Sequence, residues 1–304
     1  MPEIVKPIII VGSGRCGSTL FHRLLANHEQ VMWLSGFSLK FPDKPHWNRL
    51  AVTAMDNPLL RRLLGDRIRP GESYRFWDRY AYGFSEPCRD LVRGDVSARV
   101  KKQLRAAFAE TLSARRHRLL LKITGWCRLG YLHEVFPDAR FIHVMRDGRA
   151  VASSLMHVGF WRGWYGPQGW RAGLLSPEDQ AVWESYDRSF AALAALEWRI
   201  QMRAMDAARQ QLDPSQFLEV KYEAFCEQPM PTFERVLQFA DLPPSPALER
   251  AVKEARIRST SNRWRDDLAP AQQVILDDVL RDDLRRYGYH DEVRTERVPQ
   301  PAAR

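Results

Sequence analysis

The sequence predicts an α/β fold with three layers, in which a central, mostly parallel sheet of four or five strands is flanked by helices. Three short apolar runs, at residues 8–11, 118–123 and 140–145, are of the kind that forms strands buried on both faces. Each run is followed by a turn and then by apolar residues at helical spacing. Strands that alternate with helices in this way favour a parallel sheet.

The first strand leads into a glycine-rich turn at residues 12–19, GSGRCGST. Glycines let the backbone approach a ligand closely, successive N–H groups point into such a turn, and the next helix N-terminus favours an anion. A nucleotide-hydrolysing P-loop reads G-x-x-x-x-G-K-[ST], with lysine after the second glycine. Here Ser18 holds that position and the cation is Arg15, inside the loop. The turn therefore predicts a P-loop-like cradle that binds a phosphate or sulfate without a metal.

The composition bounds the class of protein. A chain of 304 residues can bury a substantial core. Its net charge is +9, but the basic residues are interleaved with 37 acidic ones. This distribution suits the binding of an anionic small molecule at least as well as the binding of nucleic acid. The cysteines are far apart and predict neither a zinc site nor a disulfide framework. We expect one domain over residues 1–290 and a frayed tail at 291–304. With no signal peptide or membrane anchor predicted, we expect a cytoplasmic protein.

The central part of the chain contains two further candidate features. Residues 30–34 predict a short strand. Residues 37–97 predict an irregular acceptor-side insertion rich in aromatic residues, with one candidate helix at residues 58–64. These aromatic side chains either line an acceptor pocket or pack the insertion onto the core, and the pattern leaves both alternatives open. The strand at residues 118–123 ends near Lys122. Because ligands bind at the carboxyl ends of parallel strands, Lys122 is a candidate site residue.

A second corner follows the strand at residues 140–145. Arg146 stands at the end of this strand, Asp147 is a natural N-cap for the next helix, and Ser154 falls on the second turn of that helix. An arginine and a serine so placed are able to grip a phosphate. An ordinary capped corner with a salt bridge explains the run equally well.

The two corners together resemble a known pair of motifs. The segments GSGRCGSTL and FIHVMRDGRAVASSL look like the cofactor-binding signatures of sulfotransferases that use 3′-phosphoadenosine 5′-phosphosulfate (PAPS). The resemblance implies that Arg146 and Ser154 bind the 3′-phosphate. It also implies that this chain is a bacterial member of the family, closer to the carbohydrate and tyrosylprotein branches than to the cytosolic phenol-type branch. The residues implied to bind the 5′-phosphosulfate are Gly14, Arg15, Cys16, Gly17, Ser18, Thr19 and Leu20.

The resemblance covers residues 7–289 and includes two weaker motifs. The segment QFLEVKY, residues 216–222, is similar to one whose tyrosine contacts the adenine, here Tyr222. The segment RSTSNRWR, residues 258–265, resembles the loop that closes over the cofactor. Within it, Ser259 is implied to stabilise the transferring group, and the cofactor contacts are implied for Arg263, Trp264 and Arg265.

The chemistry implied by the family is in-line transfer of a sulfuryl group to a hydroxyl or amine of a carbohydrate, lipid or small natural product, leaving adenosine 3′,5′-bisphosphate. Such a reaction needs cations and N–H donors aimed at the developing negative charge, and it implies no metal. Arg15 and Lys122 are the implied catalytic cations.

The base that takes the acceptor's proton is harder to assign. Related enzymes carry a histidine after the lysine strand or a glutamate after the first helix, and this chain has neither. Asp43 and His46 are the nearest candidates, and Glu86 and Asp95 are further ones from the insertion.

Two more segments carry predictions. Residues 159–170, GFWRGWYGPQGW, predict a lid or acceptor loop, or else a surface loop packed by its own aromatic residues. Residues 177–211 predict one long helix with a buried apolar face.

Two other functions remain open at this stage. A P-loop-type nucleotide kinase would bind ATP with magnesium, although the missing lysine beside Ser18 argues against it. A non-catalytic protein that binds nucleic acid or an anionic surface would show steeply salt-dependent binding. The enzyme instead predicts tight binding of adenosine 3′,5′-bisphosphate.

Overall fold

The protein is built around one five-stranded sheet, and a computed structural model describes residues 3–86 and 88–289. The predicted tail, residues 291–304, lies outside the described residues. The three apolar runs form strands at the expected places, and the side chains of these three strands are buried almost without exception. The strands are β1 Ile8–Gly12, β2 Val31–Trp33, β3 Arg118–Thr124, β4 Arg140–Met145 and β5 Phe217–Lys221.

All strand pairs are parallel, in the order β2-β3-β1-β4-β5. The central strand β1 pairs with β3 on one side, where Ile10 faces Lys122, and with β4 on the other. Residues that follow β1, β3 and β4 therefore meet at one edge of the sheet. In open parallel sheets this is the edge at which ligands bind.

Helices cover both faces of the sheet and surround its edge strands. Short 3-10 turns lie at Arg93–Asp95, Arg162–Tyr165 and Pro214–Gln216. The helices are α1 Ser18–Leu25, α2 Gly36–Lys40, α3 Pro45–Ala54, α4 Pro58–Leu64, α5 Tyr74–Tyr80, α6 Ala98–Thr111, α7 Leu129–Val135, α8 Gly148–Met156, α9 Pro177–Ser185, α10 Phe190–Arg209, α11 Tyr222–Glu227, α12 Pro229–Phe239, α13 Pro246–Glu254, α14 Trp264–Asp267 and α15 Pro270–Arg286. Within the described ranges, no helix is long and apolar enough to cross a membrane.

The buried apolar side chains form two clusters. The first surrounds most of the sheet, α1 and the insertion, and it includes Val144 and Tyr222. The second lies between α8, α10 and α15, and it includes Met145 and Trp264. The boundary between the two clusters thus passes through the end of β4, directly before Arg146.

The structure corrects two expectations about elements. The insertion at residues 37–97 contains α3, α5 and most of α2 in addition to α4, the helix expected at residues 58–64, so it is less irregular than predicted. Several of its aromatic side chains belong to the core, since Phe76, Trp77 and Phe84 are buried and stack with one another or with α6. The long helix predicted at residues 177–211 is two helices. Asp187 and Arg188 have positive φ angles of 51° and 56°, and they end one helix before Ser189 caps the next.

Candidate functional site

The glycine-rich turn between β1 and α1 has a backbone that few side chains would tolerate. Gly17 has a φ of 88° directly before α1, and a Cβ there would overlap the ring of Tyr222. Arg15 has a φ of 66°, which places a non-glycine residue in the strained left-handed region. This geometry directs the turn and the first residues of α1 to the carboxyl edge of the sheet, where a helix N-terminus favours an anion.

The side chains of the turn point in different directions. Cys16 and Ser18 are buried, and burial raises the pKa of the Cys16 thiol. Leu20 packs against the first apolar cluster. These residues therefore face a ligand only through their backbone, whereas the side chains of Arg15 and Thr19 are exposed.

Replacing Gly17 by alanine tests the backbone requirement. We expect Gly17→Ala to lower the free energy of unfolding by about 1–3 kcal/mol, because it adds strain at a positive φ and a clash with Tyr222. Gly14→Ala is the matched control, since a Cβ at Gly14 meets no atom within 4 Å. Its free energy of unfolding should stay within about 0.5 kcal/mol of the wild-type value in denaturant titrations. Equal loss in both variants would contradict the argument.

The two arginine-bearing corners meet in the structure. The Nε atom of Arg15 donates a hydrogen bond to Oγ of Ser154 on α8, at 2.9 Å. Nη1 of Arg146 donates to the backbone oxygen of Arg15, at 3.2 Å. Arg15, Arg146 and Ser154 therefore line one crevice between the turn after β1 and the helix after β4.

Arg146 is held by neutral oxygens. Its Nη2 donates to the backbone oxygen of Thr260 at 2.6 Å and to the Thr260 hydroxyl at 3.0 Å, and its Nε lies 3.4 Å from Oγ of Ser261. The guanidinium lies 4.7 Å from the ring centroid of Tyr222, and the same ring lies against Gly17. Within the described part of the chain, neither Arg146 nor Arg15 is paired with a carboxylate. A buried cation without a counter-ion is suited to an anionic ligand.

The neighbouring Arg149 has the opposite environment. It is buried and pairs with Asp147 at 2.7 Å and with Asp277 at 2.9 Å. Burial opposes its charge, but the hydrogen bonds to these two carboxylates raise the pKa of Arg149 above its ordinary value. Asp147 also caps α8 by accepting from the backbone N–H of Arg149. The charge of Arg149 is therefore neutralised by carboxylates of the protein. Arg146 has no described carboxylate partner, so its charge can pair with an anionic ligand.

Glu223 is a positioning residue that the sequence analysis missed. Its Oε1 accepts from Oγ of Ser261 at 2.6 Å and from the backbone N–H of Asp147 at 3.2 Å. One carboxylate thereby joins α11, the corner after β4 and the loop that contacts Arg146. The sequence feature that could have indicated this role is the Tyr222-Glu223 pair at the start of α11.

The loop at residues 258–265 lies against this corner. Ser259 is exposed, and its hydroxyl accepts from the backbone N–H of Ser261. Arg263 is exposed and lies 3.5 Å from Asp267. Trp264 is buried in the second apolar cluster, where the guanidiniums of Arg149 and Arg265 stack on its ring at 4.8 and 5.0 Å. A ligand contact of Trp264 would therefore have to use its backbone.

Lys122 occupies the other side of the turn. Its ammonium donates to the Thr19 hydroxyl at 2.9 Å and pairs with Oε1 of Glu72 at 2.7 Å. The same oxygen of Glu72 accepts from the Thr124 hydroxyl at 2.9 Å. Glu72 was absent from the sequence-based candidates because it lies in a loop of the insertion without any motif. Its neighbours bring it to the sheet edge, since Pro70 bridges to Ser35 just after β2.

None of the four acids and bases suggested from sequence forms a described hydrogen bond or ion pair with Lys122. Asp43, His46 and Glu86 are exposed, and no described hydrogen bond or ion pair joins any of them to Lys122. Asp95 is bound by Arg89 at 2.7 Å, and this hydrogen bond lowers the pKa of Asp95 to about 2. Asp43 and His46 stay predictions. In the described ranges, no group of three or more His, Cys, Asp or Glu side chains is placed to hold a metal ion.

The aromatic segment, residues 159–170, lies beside Arg15 of the turn after β1. Trp161 and Trp170 are buried anchors, and the Trp161 indole donates to Glu197 at 2.7 Å. Three large side chains next to or between the anchors are exposed, with Phe160 70%, Trp164 44% and Tyr165 78% accessible. The Arg15 guanidinium lies 5.9 Å from the Phe160 ring centroid. The segment therefore borders the crevice that contains Arg15.

The comparison with protein families decides the identity of the chain. The sequence model of the sulfotransferase family matches residues 7–246, which is more than half of the chain. The chain belongs to the sulfotransferase family. The match includes the turn after β1, Lys122, Arg146 and Tyr222, and it confirms the family recognised from the two motifs. The closer kinship to the carbohydrate and tyrosylprotein branches stays a prediction.

A curated relative of this sulfotransferase acts on a quinone. The omega-hydroxy-beta-dihydromenaquinone-9 sulfotransferase Stf3 of Mycobacterium tuberculosis is 25% identical over 328 residues, which cover 97% of this chain and 77% of the relative. The protein of the same name from Mycobacterium bovis matches equally well.

Solved sulfotransferases share the fold. The STF9 sulfotransferase of Mycobacterium avium superposes with a TM-score of 0.58 at 18% identity, covering 93% of this chain and 77% of that one. The sulfotransferase domain of the Synechococcus PCC 7002 olefin synthase gives 0.51 at 17% identity, covering 93% and 96%. The predicted α/β architecture of this sulfotransferase is thereby confirmed.

Proposed function

We propose that this protein transfers a sulfuryl group from PAPS to a hydroxyl group of a lipid-like acceptor. The observation that carries the donor assignment is the meeting of the two corners, in which Arg15 contacts Ser154 and Arg146 contacts the backbone of Arg15. A donor with a phosphosulfate at one end and a phosphate at the other needs two anion sites in one crevice. Membership of the sulfotransferase family supports this donor.

The residues at the sheet edge have distinct roles in this proposal. The turn after β1 and the N-terminus of α1 hold the 5′-phosphosulfate through backbone N–H groups, with Arg15 as the exposed cation. Arg146 and Ser154 hold the 3′-phosphate, and Tyr222, whose ring contacts both Gly17 and Arg146, supplies an aromatic surface near the adenine. Lys122 faces the position where negative charge develops during transfer.

The acceptor side supports a lipid. The aromatic segment exposes Phe160, Trp164 and Tyr165 beside the crevice, and no acidic residue lies between Asp147 and Glu178. Exposed aromatic and basic side chains suit an amphipathic partner whose long body is apolar. The name of the relative Stf3 gives a hydroxylated menaquinone as its acceptor, which supports the same class of molecule.

Product binding tests the donor site. We expect adenosine 3′,5′-bisphosphate to bind in calorimetry without added metal, and Arg15→Ala to weaken this binding at least tenfold, because a charge-assisted hydrogen bond is removed. Arg23→Ala, which removes an exposed arginine on the helix that follows the turn, is the control and should retain the wild-type affinity. Binding of magnesium ATP but not of the bisphosphate would instead support the kinase alternative.

Transfer assays test the acceptor class. With ³⁵S-labelled PAPS, we expect product with a long isoprenoid alcohol and with a hydroxylated quinone, and much less with a monosaccharide. Product only with the sugar would contradict the lipid proposal while leaving sulfuryl transfer in place. No transfer together with no bisphosphate binding would overturn the proposed function as a whole.

A further inference from the structure

We propose that Glu72 is the general base that removes the proton of the acceptor hydroxyl. This inference rests on the proposed sulfuryl transfer and adds the group which that reaction needs. The geometry that supports it is the position of the Glu72 carboxylate at the carboxyl edge of the sheet. The Lys122 ammonium contacts both this carboxylate and the Thr19 hydroxyl, which belongs to the turn after β1.

Glu72 is positioned by the end of β3 and by the chain after β2. Lys122 and Thr124, from the end of β3, both contact its Oε1, at 2.7 and 2.9 Å. The backbone on either side is fixed to the chain after β2, since Gly71 N–H donates to the Leu34 oxygen and the Ser73 hydroxyl donates to the Ser35 oxygen. The Glu72 side chain retains 20% of its accessibility. A carboxylate that is held firmly and still reaches solvent meets the geometric requirement for a general base.

The other proton acceptors near this edge are unsuited to the task. Burial and the neighbouring charge of Glu72 raise the pKa of Tyr74, so its hydroxyl stays protonated. His22 is buried on α1, and burial lowers the pKa of its imidazole to about 3, which makes it a weak base. Among the described residues, Glu72 is the only carboxylate in contact with Lys122.

The proposed step balances in atoms and charge. The acceptor oxygen forms a bond to sulfur while its proton passes to the Glu72 carboxylate. The bond from sulfur to the bridging oxygen breaks, and its electron pair stays on the 5′-phosphate of adenosine 3′,5′-bisphosphate. Lys122 lies between the proton acceptor and Thr19. Its charge stabilises Glu72 before the transfer and is close to the new negative charge afterwards.

The test uses Glu72→Gln, which keeps the shape and an oxygen that accepts hydrogen bonds from Lys122 and Thr124. With the best hydroxyl acceptor of the transfer assay, we expect the forward rate to fall at least about 100-fold while the affinity for adenosine 3′,5′-bisphosphate changes less than about threefold. Glu110→Gln, an exposed glutamate on α6, is the matched control and should keep the wild-type rate. Asp43→Asn tests the earlier candidate in the same assay.

The reverse reaction separates proton transfer from positioning. When 4-nitrophenyl sulfate donates to adenosine 3′,5′-bisphosphate, the phenolate leaves without a proton, so Glu72→Gln should retain the reverse rate within about tenfold of the wild type. Equal losses in both directions, or a parallel loss of bisphosphate affinity, would show that Glu72 only positions Lys122 and would overturn the proposal. A forward rate that survives in Glu72→Gln and disappears in Asp43→Asn would also overturn it. Failure of the wild-type protein to transfer sulfate would count against the proposed function instead.

Discussion

Replacing Lys122 by methionine is expected to lower the rate of sulfuryl transfer by about 100- to 1,000-fold in both directions, because it removes the cation that we propose to face the transferring group. Methionine keeps most of the apolar stem, so the packing against β1 should survive. The affinity for adenosine 3′,5′-bisphosphate should stay within about threefold, since the proposed anion contacts are those of Arg15 and Arg146. Steady-state rates and calorimetry on the same preparation measure the two quantities.

The ion pair with Glu72 adds a stability signature to this variant. Lys122→Met leaves a partly buried carboxylate without its cation, which should cost about 1–3 kcal/mol in the free energy of unfolding. The double variant with Glu72→Gln removes the stranded charge and should recover part of that loss. A fall in bisphosphate affinity that equals the fall in rate would mean that Lys122 only anchors the donor.

Arg146→Ala is expected to weaken binding of adenosine 3′,5′-bisphosphate at least tenfold while the protein stays folded. Arg146 has several N–H donors at one end of the crevice and no carboxylate partner among the described residues, so its charge is available to a phosphate. Arg146→Lys should restore little of the affinity, because an ammonium cannot reproduce a planar fork of donors.

Arg149→Ala is the informative contrast, three residues further along the chain. It breaks two buried ion pairs, with Asp147 and Asp277, so we expect a loss of about 3–5 kcal/mol in the free energy of unfolding. Calorimetry and denaturant titrations on both variants should therefore give opposite patterns. If Arg146→Ala lost stability and kept its affinity, the assignment of the 3′-phosphate site would be wrong.

The parts of the fold that were predictable from sequence are those with local causes. The runs that form β1, β3 and β4 are apolar because both faces of the central strands are covered, and their bounds agree with the prediction within a residue. The turn after β1 is equally local, since its glycines, Arg15 and hydroxyls are consecutive. Asp147 capping α8 follows from residue type and position alone.

Features that depend on distant contacts were not predictable. Glu72 lies 50 residues before Lys122 in the sequence, and only the contacts of Pro70, Gly71 and Ser73 with the chain after β2 bring the two together. The break between α9 and α10 depends on two non-glycine residues with positive φ, which amino-acid preferences oppose. In the insertion α4 was expected, whereas α3 and α5 are short and pack against α6, and short helices depend on such tertiary packing.

The position of Arg146 at the boundary between the two apolar clusters has a consequence for the lifetime of the protein. Val144 and Tyr222 belong to one cluster and Met145 and Trp264 to the other, and the guanidinium reaches Tyr222 and the loop that leads to Trp264. A nucleotide held there would fasten two separately packed halves of the molecule. At a hundredfold excess over its dissociation constant, such a ligand adds about 2.7 kcal/mol of stability. Protein with bound nucleotide would then resist heat and proteases longer. The concentration of the donor would therefore affect the lifetime of the enzyme as well as its reaction rate.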